Sequence, residues 1–243
     1  MASLNGAPAD TVAPGHADTS MATAGFKVTT RKLPILKAGP IDDMTKALGI
    51  TPPEMIFGDN LARIEHAASG WFIEFNAFDA LDRVDKTGEH MFKVAYSNEW
   101  QQNRQKQFED IKEVVKPFDW SYSTDYKGTF FDELVLYEDE LADNGIAMLS
   151  CKIRVMPARL LLLVRFFMRL DDVVFRIRDT RVFIEFSTGD VIREYTAREE
   201  KYDEVKRKLA GRKEDVLAIM RDPNRLAEHI PVVEQTLDGV KLK

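Results

Sequence analysis

The arginines are the residues of this sequence whose type and spacing point most clearly to chemistry. Residues 151–181 carry eight basic and three acidic side chains, a balance of +5, whereas the whole chain has a formal charge of −6. Alternation along two successive strands predicts that four arginines converge on one sheet face. They are Arg165 and Arg169 on the first strand and Arg176 and Arg178 on the second.

An arginine fork binds carboxylates and phosphates through two parallel hydrogen bonds. A face with several such forks therefore suits an acidic peptide, a C-terminal carboxylate or nucleic acid. Salt bridges within the chain, to Asp171, Asp172 and the acidic first half, explain the same spacing equally well. The pI near 5.4 and the lack of a recognisable binding module disfavour nucleic acid as the ligand of residues 151–181.

Catalytic spacings are absent from the sequence. None of the thirteen glycines belongs to a GxGxxG or GxxxxGK[ST] pattern, and there is no GxSxG or HExxH motif. The four histidines are scattered singly, which is typical of surface or structural roles. Cys151 lies on an apolar row, so a core role is favoured over a nucleophilic one. We therefore expect no enzyme and no cofactor; a cryptic hydrolase is the remote alternative.

A short acidic run is the one candidate metal site. Calcium and magnesium need several oxygen ligands, but on a strand Glu138 and Glu140 point away from Asp139. The EF-hand spacing is also absent. A solvated acidic edge is the better interpretation, and no metal is expected.

Composition bounds the kind of protein. The 243 residues are 44% apolar, enough for one domain with a hydrophobic core. A single cysteine excludes an internal disulfide and fits a reducing compartment, so the cytoplasm is expected, with the nucleus as a second location. No apolar run approaches the roughly 20 residues that a membrane-spanning helix needs.

The chain divides into a tail and one domain. Residues 1–25 contain no aromatic residue and no Lys or Arg, and are predicted to be a disordered tail. Residues 26–243 carry dense aromatics without a linker and are predicted to form a single domain.

Period-two alternation predicts strands along much of that domain. Trp71, Ile73, Phe75 and Ala77 form one apolar row, and a strand meander is predicted through residues 149–186. Helices are predicted at residues 97–116, 197–209, 213–221 and 224–230, the last opened by the Asp222 cap and Pro223. The fold class is therefore α+β, a mainly antiparallel sheet with helices packed beside it.

Eight blocks in a specific order carry a family resemblance. They are Glu-Met-Ile-Phe-Gly-Asp-Asn at 54–60, Ile-Glu-Phe-Asn-Ala-Phe-Asp-Ala-Leu at 73–81, Lys-Pro-Phe-Asp-Trp at 116–120 with Thr-Asp-Tyr-Lys-Gly-Thr at 124–129, Leu-Tyr-Glu-Asp-Glu-Leu at 136–141, Lys-Ile-Arg-Val-Met-Pro at 152–157, Arg-Phe-Phe-Met-Arg-Leu-Asp at 165–171, Asp-Thr-Arg at 179–181 and Arg-Glu-Tyr-Thr-Ala-Arg at 193–198. Over residues 26–235 the sequence resembles the TIPRL family, the TOR signalling pathway regulator-like proteins, in its fungal branch.

The resemblance implies a non-catalytic protein that binds the catalytic subunits of type 2A-class serine/threonine phosphatases, including types 4 and 6, and restrains their activity. It also implies a link to TOR signalling through the Tap/alpha-four adaptor. A groove of the family's domain receives the C-terminal tail of the phosphatase, a short acidic and aromatic peptide that ends in a leucine carboxylate.

Site residues follow from the resemblance block by block. It implies that Asp79, Asp179 and Tyr195 belong to the partner-binding site, and their neighbours Ile177, Arg178 and Arg181 are included with them. Other roles stay open from the residues alone: Asp79 as a turn cap, Asp179 as the ion-pair partner of a neighbouring arginine, and Tyr195 as a core aromatic.

Two departures from the family pattern bear on that site. Ile177 stands where animal members usually have Met, which preserves apolar bulk but loses the flexible thioether. Typical members also have a few dozen residues where Thr129 here runs directly into Phe130. One wall of the groove is therefore expected to be missing.

Overall fold

The computed structural model describes residues 18–82, 130–211 and 215–242. The predicted helix at residues 97–116 and the Thr129 side of the shortened segment lie outside the described residues. Within them the chain forms two antiparallel sheets with short helices, which confirms the α+β class. The strands are β1 Thr19–Thr23, β2 Phe26–Arg31, β3 Met55–Ile56, β4 Leu61–His66, β5 Trp71–Asn76, β6 Phe130–Asp139, β7 Gly145–Val155, β8 Arg159–Leu170, β9 Val174–Glu185, β10 Asp190–Lys201 and β11 Val232–Lys241. The helices are α1 Ala38–Leu48, α2 Ala77–Asp82, α3 Tyr202–Leu209, α4 Val216–Arg221 and α5 Pro223–Ala227.

The first sheet has four strands in the order β1-β2-β4-β5. The alternation in β5 is confirmed, since Trp71, Ile73 and Phe75 pack against the core. Ala77, predicted on the same row, instead begins α2. Phe26 and Val28 of β2 are buried on the same side of the sheet as these residues.

Strand β1 corrects the predicted boundary of the tail. Residues Thr19–Thr23 were assigned to the disordered segment, but they pair with Phe26–Arg31 as a hairpin. Backbone pairing and the ion pair between Arg31 and Asp18, at 2.7 Å, supply the stabilisation that composition did not reveal. The described fold therefore begins before Phe26.

The second sheet has seven strands in the order β11-β10-β9-β8-β7-β6-β3. Strands β6 to β10 are consecutive neighbours, so the predicted meander is confirmed and continues beyond residues 149–186 at both ends. Cys151 lies opposite Val164 on a fully apolar row. Its side chain is completely buried and its pKa is raised by that burial, as expected of a core residue.

The second sheet is covered on both faces. Its inner face packs against the first sheet through Cys151, Ile153 and Leu162. Its opposite face, here called the helix face, packs Phe167 and Ile177 against α3, α4 and α5. The outer row of β8 was predicted to be mixed, and Phe167 on that row is buried beneath the helices.

The C-terminal helices are shorter than predicted. Residues 197–201 were expected to be helical but extend β10, where they pair with residues 174–178 of β9. Cross-strand pairing outweighs the helical preference of this charged segment. Asp222 caps α5 as predicted, accepting a hydrogen bond from the Asn224 amide at 2.8 Å, although α5 ends at Ala227.

Candidate partner-binding site

The register of β8 and β9 separates the arginines that were expected to share one face. Arg165 lies opposite Asp179, whereas Arg178 lies opposite Phe166. Because opposite residues share a face and successive residues alternate, Arg165 and Arg169 belong to the helix face, while Arg176 and Arg178 belong to the inner face. The prediction of a single converging face is therefore wrong.

Asp179 is held inside an arginine cluster on the helix face. Arg165 donates from Nε to Oδ1 at 2.6 Å and from Nη2 to Oδ2 at 2.7 Å, a bidentate pair. Arg181 donates to Oδ2 at 2.8 Å. Asp179 is only 1% exposed, so its carboxylate is enclosed by these arginines and is not open to solvent.

A second set of ion pairs lies on the inner face. Glu199 accepts hydrogen bonds from Arg176 Nε and from Arg178 Nη2, both at 2.8 Å. Burial alone would raise the pKa of Glu199, but these two bonds outweigh it and lower the pKa. Tyr195 is 6% exposed on the same face, and burial raises the pKa of its hydroxyl.

Internal salt bridging therefore accounts for the four arginines first singled out. Arg169 completes the set with an ion pair to Asp171 at 2.8 Å. Asp179 also has the ion-pair role that the sequence left open for it. Its partners are Arg165 and Arg181, and not Arg178.

Around Arg181 and Arg198 on the helix face, arginines outnumber carboxylates. Arg181 forms a further ion pair with Glu194 at 3.4 Å, and Arg198 lies close enough to Arg181, Asp179 and Arg165 to interact with them electrostatically. Three guanidinium groups thus share two carboxylates. We call these five residues, Arg165, Asp179, Arg181, Glu194 and Arg198, the arginine cluster.

Among the described residues, two members of this cluster have unused donors: Arg181, whose buried Nε has no hydrogen-bond partner, and Arg198, which donates through a single nitrogen. Its Nη1 donates to the Ile230 carbonyl at 3.0 Å. Its side chain is partly buried, and burial, followed by the neighbouring charges of Arg181 and Arg165, lowers its pKa. A partly desolvated guanidinium beside two others is an attractive position for an incoming anion.

Helix α5 fixes the other side of the cluster. Asn224 Oδ1 accepts a hydrogen bond from Arg165 Nη1 at 2.6 Å. Sequence reasoning did not single out Asn224, and it placed Arg198 only within a family block. No local pattern connects Asn224 with Arg165, because the two residues are 59 positions apart.

Asp79 lies in the layer of the first sheet, not in the arginine cluster. It is exposed in the first turn of α2, where its amide donates to Asn76 Oδ1 at 2.8 Å and its carboxylate accepts from Asn76 Nδ2 at 3.0 Å. Asn76 is thus the residue that caps this turn. The structure brings together Ile177, Asp179 and Arg181 on the helix face and leaves Arg178 and Tyr195 on the inner face.

Within residues 18–82, 130–211 and 215–242, no group of three or more His, Cys, Asp or Glu side chains is placed to hold a metal ion. In the same ranges, no helix is long and apolar enough to cross a membrane.

The described residues thus form a layered α+β fold whose larger sheet carries the arginine cluster on its helix face. The profile of the TIP41-like family matches residues 55–130 and 129–206. The chain belongs to the TIP41-like family.

Individual proteins of the same family are similar to this chain over most of its length. The chain is 39% identical over 239 residues to a TIP41-like protein of Rattus norvegicus, covering 86% of this chain and 84% of the relative. It is 38% identical over 266 residues to the type 2A phosphatase activator TIP41 of Saccharomyces cerevisiae, covering 91% and 74%. The type 2A phosphatase activator tip41 of Schizosaccharomyces pombe is 32% identical over 247 residues, covering 87% and 95%.

Proposed function

We propose that this protein is a non-catalytic regulator that binds the catalytic subunits of type 2A-class serine/threonine phosphatases and restrains their activity. The names of the two fungal relatives support a role linked to type 2A phosphatase. The proposal extends to the type 4 and type 6 enzymes, to the Tap/alpha-four adaptor, to TOR signalling and to a cytoplasmic location.

The observation that carries the proposal is the unbalanced charge beside Arg198. A C-terminal carboxylate would supply the missing anion, and an arginine binds a carboxylate in a planar, two-bond geometry. The helix face is therefore better suited to a peptide terminus than to a neutral ligand.

The predicted site residues then act in different ways. Asp179 and Arg181 hold the cluster together, and Ile177 packs beneath α3 to α5, so these residues shape the site from within. Asp79 is exposed and available for direct contact from the first sheet. Arg178 and Tyr195 support strands β9 and β10 from the inner face.

Fluorescence anisotropy with a labelled phosphatase tail peptide tests the proposal. Arg198→Gln removes the charge without emptying the space, and we expect it to weaken binding by roughly 10- to 100-fold at moderate salt. Lys152→Gln is the matched control, because Lys152 is a cation of the same sheet, with a side chain that is 44% exposed and paired with Glu133. Asp179 is a poor probe because its removal would leave buried Arg165 unpaired.

Unchanged binding by Arg198→Gln, or no binding by the wild-type chain, would overturn this site. A peptide whose terminal carboxylate is amidated should bind as weakly to the wild-type chain as the free acid binds to the variant. Binding that ignores the carboxylate and falls steeply with salt would instead favour the nucleic-acid alternative for residues 151–181. The arginine-carboxylate pairs on both faces argue against that alternative.

The direction of regulation requires its own measurement. The family resemblance predicts restraint, whereas the fungal relatives are named activators. Purified catalytic subunit should lose activity toward a phosphopeptide as the protein is added, and Arg198→Gln should shift this titration to higher concentration. A rise in activity would reverse the proposed direction but leave the binding site in place.

A further inference from the structure

Among the residues that the structure describes, strand β11 forms one edge of the seven-stranded sheet. In the sheet order it is the last strand and pairs with β10 on one side. Its first half, residues 232–236, is exposed throughout. The opposite edge is different, because β3 has only two residues and the Leu36 amide already donates to the Ile56 carbonyl at 2.7 Å.

The exposed half of β11 is only partly protected from pairing. Natural edge strands are usually blunted by lysine, other charges, proline or a β-bulge, and the protective features here are Glu234 and a bulge at Val233. Here Val232 and Val233 are 45% and 59% exposed, and residues 232–236 contain neither lysine nor proline. An extended segment could therefore add to this edge and cover two apolar side chains.

A bulge joins this edge to the arginine cluster. Glu234 pairs with Ala197, but Arg198 pairs with Val232, so Val233 is an extra residue in β11. Bulges reorient side chains and are common beside functional sites. Arg198 bonds to the Ile230 carbonyl, two residues before β11, which places its guanidinium at the beginning of the exposed edge.

We propose that an extended peptide carrying a carboxylate adds to β11 as a further strand, with the carboxylate bound at Arg198. The occupant is the phosphatase tail, so the inference rests on the proposed function and specifies how its ligand is bound. Backbone hydrogen bonds would supply sequence-independent affinity, while Arg198 would select the charged end.

Peptide N-methylation tests the backbone pairing. Methyl groups on alternate amides remove the donors of one edge of an extended peptide, and a second peptide methylated at the other positions removes those of the opposite edge. We expect one pattern to weaken binding by about tenfold or more and the other to leave it nearly unchanged. Equal effects of the two patterns would contradict strand addition.

Hydrogen exchange with the intact catalytic subunit provides an independent readout. Binding should protect amides in residues 232–236 more than those in β3, because only amides facing an added strand gain partners. If the subunit binds and this protection is absent, the tail lies elsewhere: the inference fails while the proposed function stands. If neither subunit nor tail peptide binds, both fail.

A substitution on the edge completes the test. Val233→Lys should weaken tail binding by about tenfold, because the edge would carry a lysine and lose an apolar contact. Leu217→Lys is the matched control, since Leu217 is a 60% exposed apolar residue on α4. A concentration-dependent dimer of the free chain that Val233→Lys abolishes would assign the edge to a second copy and overturn the proposal.

Discussion

At the scale of single residues, arginine-carboxylate pairs account for most of the charge that makes residues 151–181 distinctive. Asp179 forms ion pairs with two arginines on the helix face of the sheet, and Glu199 forms ion pairs with two arginines on its inner face. A buried ion pair contributes little net stability, but removing one partner is costly because the other charge is left without compensation. Arg198 differs because the two carboxylates near it, Asp179 and Glu194, already form ion pairs with Arg165 and Arg181.

Glu199 leads to a prediction about pH. Its pKa is lower in the folded chain than its ordinary 4.5, so it stabilises the fold above that value and loses this contribution as the pH falls. Glu199→Gln should therefore be less stable than wild type at neutral pH, and the difference should shrink below pH 4.5. Urea unfolding of both proteins, from neutral pH to below pH 4.5, measures this difference in stability. A difference that stays constant with pH would contradict the stabilising role of the Glu199 carboxylate.

At the scale of elements, the turns determine which residues of the meander meet. The β8 to β9 connection places Leu170 opposite Val174, and this register puts Asp179 beside Arg165. A shift of one residue would turn Asp179, together with Arg181, to the inner face and leave buried Arg165 without its carboxylate. The register is therefore enforced by the cost of charge burial as well as by apolar packing.

Gly145 at the start of β7 gives a prediction at this scale. Its φ is +152°, and a Cβ there would lie 1.9 Å from the Arg169 carbonyl oxygen. We expect Gly145→Ala to destabilise the protein by about 2 kcal/mol or more, measured by denaturant unfolding. Gly39→Ala in the first turn of α1 is the control; it has open space around it and should change stability by less than about 1 kcal/mol. Equal effects would show that the close approach is relaxed in solution.

At the scale of the whole molecule, polar contacts as well as the core join the two sheets. Asn60, which precedes β4, accepts from the Leu33 amide at 2.5 Å and donates to the Val135 carbonyl of β6 at 2.8 Å. Thr30 of β2 donates to Asp132 of β6. These bonds fix the first sheet, with exposed Asp79 at its end, relative to the sheet that holds the arginine cluster.

Asn60→Ala tests this coupling. The substitution leaves the partly buried Leu33 amide and Val135 carbonyl without their side-chain partner, and we expect a loss of about 2 kcal/mol in the free energy of unfolding. Asn144→Ala, which removes bonds in an exposed turn, should cost within about 1 kcal/mol. Similar losses for the two variants would show that Asn60 does not join the sheets in this way.

The sequence alone determined the features that depend on neighbouring residues. Alternation predicted the core rows of β7 and β8 and the burial of Cys151, and the Asp222-Pro223 pair predicted the start of α5. The ordered blocks predicted the family. Each signal lies within a few residues of chain, where strand or helix periodicity and capping chemistry act directly.

Tertiary structure decided what depends on register and on distant partners. It divided the four arginines between two faces, drew residues 197–201 into β10 and recruited Thr19–Thr23 as β1. It also placed Asn224 against Arg165 and Arg198 at the start of an open edge. Strand pairing and ion pairing join residues far apart in the chain, so their outcome is set by the burial and charge balance of the complete fold.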